Sequence, residues 1–221
     1  FFLYVAFTAP HWPLHAFEED IEKYRGKYRG GWDELRTSRH EELKGSGILD
    51  SKWDISPRDE SAPEWSEIKD RDWEDARMAV YAAQIDRMDQ GVGRIMAKLA
   101  AMGLKDNTLV MFLSDNGGCA EFLHEEGRPE PDEFLAGLKT RDGRTVRVGN
   151  DPSIRPGGED TFMSYDVQWA NVSVTPFRRY KHWVHEGGIS TPFIARCPAR
   201  IKEPRTIHEP AQIIDITATI I

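Results

Sequence analysis

The chain of 221 residues is long enough for one sizeable core or for part of something larger. Its net charge of -8, from 29 Lys and Arg against 37 Asp and Glu, excludes a general affinity for nucleic acid, because phosphate contacts come from clustered Lys and Arg. With 39% hydrophobic and 30% charged residues the composition is that of a globular enzyme domain, and every apolar run falls short of the roughly 20 residues that cross a membrane.

Phe1-Phe2-Leu3-Tyr4-Val5-Ala6-Phe7 is a continuous apolar run that predicts a strand buried on both faces. Domains rarely open on a central strand, so the chain reads as cut at its start, and the lack of a charged segment before Phe1 says nothing about export. Pro10 and Pro13 forbid a helix or a central ladder, so Thr8-Ala9-Pro10-His11-Trp12-Pro13-Leu14-His15 is a loop. His11 and His15 then lie just past the carboxyl end of a strand. Residues 17–70 read as a peripheral segment of loops with short helices at 18–23 and 33–43. Within it, the single Arg29-Gly30-Gly31 beside Tyr28 and Trp32 reads as a solvated turn rather than an RNA-binding tract.

Met78, Tyr81, Ile85, Met88, Val92, Ile95 and Leu99 recur at steps of three and four, which predicts one apolar face of a long helix. Gly103 supplies its left-handed end and Asp106-Asn107 a turn. Thr108-Leu109-Val110-Met111-Phe112-Leu113 is a second buried strand, closed by Ser114-Asp115-Asn116-Gly117-Gly118. Helix, short turn and strand make half of a parallel α/β unit, in which ligands gather at the carboxyl ends of strands. On that reading His11 and Asp115 share one sheet edge.

Residues 119–160, rich in Gly, Pro and charge, form a long surface loop region, and loops of that length are functional or disordered. The segment 169–195 returns to aromatic and β-branched residues and predicts two extended stretches joined at Gly187-Gly188. Residues 211–221 stop on Ile220-Ile221 with no cap, so this end also reads as cut.

Three groups of residues could carry chemistry. Asp115 and Asn116 offer hard oxygen donors that suit calcium or magnesium rather than zinc, and read equally as a self-capping turn. His11 is a general acid or an anion donor, or a polar loop residue. Lys181, in Tyr180-Lys181-His182-Trp183-Val184, could hold a fixed positive charge against an oxyanion, or reach to solvent. Only two cysteines occur, Cys119 and Cys197, so neither a disulfide framework nor a cysteine-rich zinc site is available.

The order of these elements resembles the sulfatase family of the alkaline-phosphatase-like superfamily, bacterial arylsulfatases in particular. The resemblance rests on Ala9-Pro10-His11-Trp12-Pro13 after an apolar run, on Tyr81-Ala82-Ala83-Gln84-Ile85-Asp86-Arg87-Met88-Asp89, on Ser114-Asp115-Asn116-Gly117, and on Lys181 ahead of Glu186-Gly187-Gly188-Ile189. It covers nearly the whole chain apart from variable loops. It implies an α/β fold, a mostly parallel sheet flanked by helices, with residues 1–221 a partial catalytic domain. It further implies that Asp115 and Asn116 are metal ligands, for calcium before magnesium, and that His11 and Lys181 contact the sulfate and assist departure of the ester oxygen. His185, four residues beyond Lys181, is assigned to the substrate pocket by proximity, with a structural hairpin residue as the alternative. The implied partner is a small-molecule sulfate ester, and the implied location is periplasmic or extracellular.

One departure matters. The family's formylglycine comes from a cysteine in Cys-x-Pro-Ser-Arg or Cys-x-Ala-x-Arg, and neither motif is present. In Cys197-Pro198-Ala199-Arg200 the arginine falls one place early, and Cys119 has no evident activating base beside it. The nucleophile and the other acidic ligands are therefore expected upstream, and these residues alone are expected to be inactive. A phosphomonoester or phosphonate hydrolase of the same superfamily, or an inactive anion-binding relative, would share the features seen here.

Overall fold

A computed structural model describes residues 1–123, 135 and 137–220. Helix α1 spans Glu18–Ile21 and α2 Gly31–Gly45. The dominant element is α3, Arg71–Ala101, which ends where the sequence predicts: Met102 caps it and Gly103 follows at φ +69°. Strand β1 is Val110–Leu113, β2 Arg147–Val148, β3 Thr161–Phe162 and β4 Phe193–Arg196, with α4 at Asp166–Ser173, α5 at Glu186–Ile189 and α6 at Ile214–Ile220.

The arrangement is mixed α/β, and the mostly parallel sheet is not seen among the described residues. Strand β1 pairs antiparallel with β4, Val110 opposite Arg196 and Leu113 opposite Phe193, while β2 and β3 form one short parallel pair. Residues 1–7, expected as a central strand, belong to no strand, and Phe1, Phe2 and Tyr4 are 86%, 73% and 80% exposed. A fully apolar strand needs partners on both edges and cover on both faces, and no described segment provides them. His11 therefore does not sit at a sheet edge shared with Asp115.

Residues 17–70 are not peripheral. Trp32 on α2 and Trp169 on α4 are both fully buried and meet edge to face at 5.3 Å, with Trp65 closing the trio at 4.7 Å from Trp32. Such pairs add about 0.5–1.5 kcal/mol beyond the area they bury. Leu14, Val80 and Met163 extend this core beneath the loop that carries His11. The region 119–160 is also only partly a surface excursion: Leu123, Asn150, Pro156 and Gly157 are buried, although residues 124–134 and 136 of it lie outside the described residues. The two extended stretches expected across 169–195 give way to helix α4, a turn and helix α5. Only residues 193–196 are strand, because the apolar residues of α4 face the tryptophan core rather than a sheet.

Of the apolar face expected on α3, Met78 and Leu99 are buried and Ile85 is 38% exposed, and the helix buries charge as well. Arg77, 1% exposed, donates to both oxygens of Glu74 at 2.7 Å, and the Trp169 indole N–H donates to Glu74 Oε2 at 2.7 Å. Glu74→Gln is expected to lower stability by about 2 kcal/mol, the scale of hydrogen bonds to charged groups. Urea unfolding would show it as a lower midpoint at unchanged slope; an unchanged midpoint would mean that the network contributes nothing.

Candidate active site

The His11 loop is tied down from two sides. Leu14 donates its amide to Met163 O at 3.0 Å, and the Gln84 amide on α3 reaches the carbonyls of His11 and Pro13 at 3.4 and 3.3 Å. His11 itself is exposed, with Nδ1 at 2.7 Å from Trp12 O. Because a carbonyl only accepts, Nδ1 carries the proton and the neutral ring keeps a lone pair on Nε2. Lys181 Nζ stands 3.4 Å from that Nε2. The two residues named from separate motifs, 170 positions apart, thus meet directly.

Lys181 lies on a backbone held unusually: Arg179 and His182 on either side adopt φ +66° and +77°. Non-glycine residues rarely take this conformation, which costs of order 1–3 kcal/mol and persists where the surroundings over-determine it. The surroundings are the loop after β1. Lys181 donates its amide to Gly118 O, and Gly117 donates to Gly188 O, each at 2.9 Å. The pair Gly187-Gly188, expected as a hairpin turn, instead opens α5, and its glycines serve close approach. A Cβ on Gly117 would sit 1.8 Å from Gly187 O, and one on Gly187 2.1 Å from Arg179 O. Gly117→Ala is expected to force these two backbones apart and to cost about 1–3 kcal/mol, the range for overpacking. Thermal unfolding would read the loss; an unshifted transition would contradict the close contact.

Asp115 is exposed and Asn116 half-buried at the end of β1. Elsewhere Asp50, Asp59 and Asp151 cap turns by accepting the backbone N–H two residues on, at 3.0, 3.0 and 2.8 Å. Neither Asp115 nor Asn116 makes a hydrogen bond of this kind with a described residue, so the self-capping alternative is not what forms. Their oxygens fit a hard cation in kind but fall short in number. Calcium takes 6–8 oxygen ligands, and no group of three or more His, Cys, Asp or Glu side chains able to hold a metal occurs among the described residues.

His185 is not part of the Lys181 cluster. It opens onto a separate open cleft of about 530 Å³ with Asp54, Ser56, Phe177 and Arg178, to which neither His11 nor Lys181 contributes. His15 has a structural role, with Nε2 at 2.6 Å from Thr161 O. Cys197 is buried, and Cys119 is half-buried, with burial pushing its thiol pKa up against a hydrogen bond from the Glu121 backbone that lowers it. A thiol held protonated is a poor nucleophile.

Two participants were not singled out from the sequence. Glu121 accepts from Trp12 Nε1 at 2.7 Å and from Cys119 Sγ at 3.3 Å on one oxygen, and its other oxygen lies 3.1 Å from Lys181 Nζ and 2.9 Å from His182 Nε2. Burial raises the Glu121 pKa, but donation from His182, Lys181, Cys119 and Trp12 outweighs it and holds the carboxyl at about 2. For Lys181 burial works against the charge, and the Glu121 contact outweighs it, leaving the ammonium pKa above its ordinary value. The carboxylate's folded pKa is below its ordinary value of 4.5, so its contribution to stability is present above that value and is lost as pH falls toward about 2. The ammonium's contribution is present below 10.5 and is lost as pH rises through the raised folded value. The Glu121–Lys181 pair is therefore charged throughout the neutral range. A short-range signal for Glu121 exists in hindsight, as an acidic residue shortly after the Asp-Asn-Gly-Gly loop, but His182 carries none beyond its neighbour.

The Sulfatase family model matches residues 1–221. The chain is 34% identical over 224 residues to a protein of Schizosaccharomyces pombe named as an uncharacterized sulfatase, covering 100% of this chain and 38% of that protein. It is 33% identical over 223 residues to an arylsulfatase of Klebsiella aerogenes, covering 99% of this chain and 45% of that protein. A steryl-sulfatase of Mus musculus is 26% identical over 140 residues, 63% of this chain and 16% of that protein. The chain thus spans less than half the length of each of these relatives.

Proposed function

Because this chain belongs to the sulfatase family, we propose that it contributes an anion-binding and leaving-group half of a catalytic site for hydrolysis of sulfate esters. The observation that carries the proposal is the approach of Lys181 Nζ to His11 Nε2 at 3.4 Å on surfaces open to solvent at His11. In such a reaction the bond between sulfur and the ester oxygen breaks, and negative charge gathers on the departing oxygen. A preorganised ammonium stabilises that charge. His11, with Nδ1–H fixed on Trp12 O and its ring exposed to solvent, takes up a proton from water at Nε2, the nitrogen turned toward Lys181. As imidazolium it donates to the departing oxygen, and as neutral imidazole it returns to accepting from Lys181.

Asp115 and Asn116 would supply part of the oxygen set for a calcium ion, which would add positive charge beside the sulfuryl oxygens. The formylglycine that the family uses as nucleophile has no counterpart motif in these residues, so attack on sulfur would be the task of another part of the full-length protein.

The test is turnover by the full-length protein of a chromogenic aryl sulfate beside the matching aryl phosphate and phosphonate. Release of the phenol from the sulfate with the higher kcat/KM supports the proposal. Preference for phosphate or phosphonate, or binding of the sulfate without turnover, would overturn it in favour of a phosphoryl hydrolase or an anion-binding relative.

A further inference from the structure

Lys181 and His11 come from segments far apart in sequence, and a lysine side chain has four rotatable bonds, so their meeting needs something to fix it. The described residues offer one group that touches both halves. Glu121 lies 3.1 Å from Lys181 Nζ through Oε1. Through Oε2 it accepts at 2.7 Å from the indole of Trp12, the residue whose carbonyl lies 2.7 Å from His11 Nδ1 and whose ring packs against the His11 ring at 4.8 Å. The backbone of Glu121 is itself anchored: Ser164, fully buried, donates to the main-chain carbonyl of Glu121 at 2.8 Å, and Asn150 Nδ2 donates to Ser164 Oγ at 3.1 Å. His182 closes the remaining approach to Oε1 at 2.9 Å. With four donors from the segments around Trp12, Cys119 and Lys181–His182, this carboxylate is a brace rather than a base.

Resting on the function proposed above, we propose that Glu121 is the positioning residue of the site, holding the Lys181 ammonium and, through Trp12, the His11 imidazole in one reactive arrangement. It touches no reacting atom. Lys181 is faced by Glu121, Cys119 and His11, and of the three the Glu121 contact does most to raise the ammonium's pKa. Loss of its charge should therefore both loosen the ammonium and lower the pH at which the ammonium deprotonates.

The experiment uses the full-length protein and initial rates on a chromogenic aryl sulfate across pH, for the wild type, Glu121→Gln, Lys181→Ala and the double variant. Glu121→Gln is expected to lower kcat by roughly 10-fold to 100-fold, the range for removing an outer partner of a reacting group. It should leave KM within about threefold and move the alkaline limb of the kcat profile to lower pH, since a carboxylate that raises a neighbouring ammonium's pKa no longer does so. In the Lys181→Ala background the same change should add little, because the brace then has nothing to hold. Glu121→Asp keeps the charge and retracts it by one methylene, so it should restore the alkaline limb more fully than kcat, and it carries the same test if the Gln variant does not fold. Losses that multiply in the double variant with an unmoved alkaline limb would overturn the positioning role while leaving the function standing. Wild-type turnover in Lys181→Ala would overturn both.

Discussion

Replacing Lys181 with alanine in the full-length protein is expected to lower kcat on a sulfate ester by roughly a hundredfold to a thousandfold, the scale for losing one donor aimed at developing charge. The side chain is only 16% exposed and lies against Glu121 and His11, so solvent could not readily stand in for it. An ammonium is also a point charge rather than a fork, and its contribution rises steeply as charge grows on the departing oxygen. The loss should therefore appear in kcat more than in KM, because an interaction made more strongly in the transition state than in the ground state accelerates the chemical step. Phenols that are already good leaving groups need less help, and the deficit should shrink for them. A full kcat with a raised KM would instead assign Lys181 to ground-state binding alone.

Asp115→Ala is expected to abolish both calcium occupancy and turnover. Its carboxylate ends β1 without a hydrogen bond to a described residue, so the alanine variant loses no internal partner and should keep its fold. Asn116 would remain as a neutral donor, too weak on its own to offset the lost charge at a site for a divalent ion. Metal content of the purified variant, measured by elemental analysis after dialysis, reads the first effect independently of activity, and circular dichroism reads the fold. Calcium retained at wild-type stoichiometry would remove Asp115 from the ligand set.

Much of the scaffold is legible in the sequence wherever a single helical period or a short punctuated strand decides the outcome. The recurrence from Met78 to Leu99 with Gly103 as terminator describes the later part of α3 and its end, although the helix starts at Arg71, ahead of the first periodic residue, and Val110–Leu113 follows as a strand. Residues 1–7 fail the same reading because an apolar run signals a need for cover without saying where the cover is, and none of the described segments covers them. Trp32 and Trp169 fail for the opposite reason: large aromatics spaced irregularly in charged or mixed segments carry no period, yet both are fully buried in the core and meet edge to face. Of the residues named from motifs, His11 and Lys181 come within 3.4 Å of each other, and the loop after β1 meets the Lys181 backbone through Gly118. Glu121 is not singled out by the sequence, since the role proposed for it comes from contacts with the side chains of Trp12, Cys119, Lys181 and His182, three of them distant in sequence. The stretch from Tyr180 to Trp183 looks extended by composition but is held as a turn by the glycine contact with the loop after β1.

That contact ties the order of two loops together. The amides of Gly117 and Lys181 are each donated across the same junction, to Gly188 O and Gly118 O, so neither segment can swing outward while the other stays sealed. Opening of this junction is then a single cooperative event, and the two amides should exchange with solvent at matched protection even though 64 positions of chain separate Gly117 from Lys181. An organism adjusting substrate preference through the loop around Lys181 would find the loop after β1 responding to every change of backbone, which confines such tuning to side chains beyond the junction.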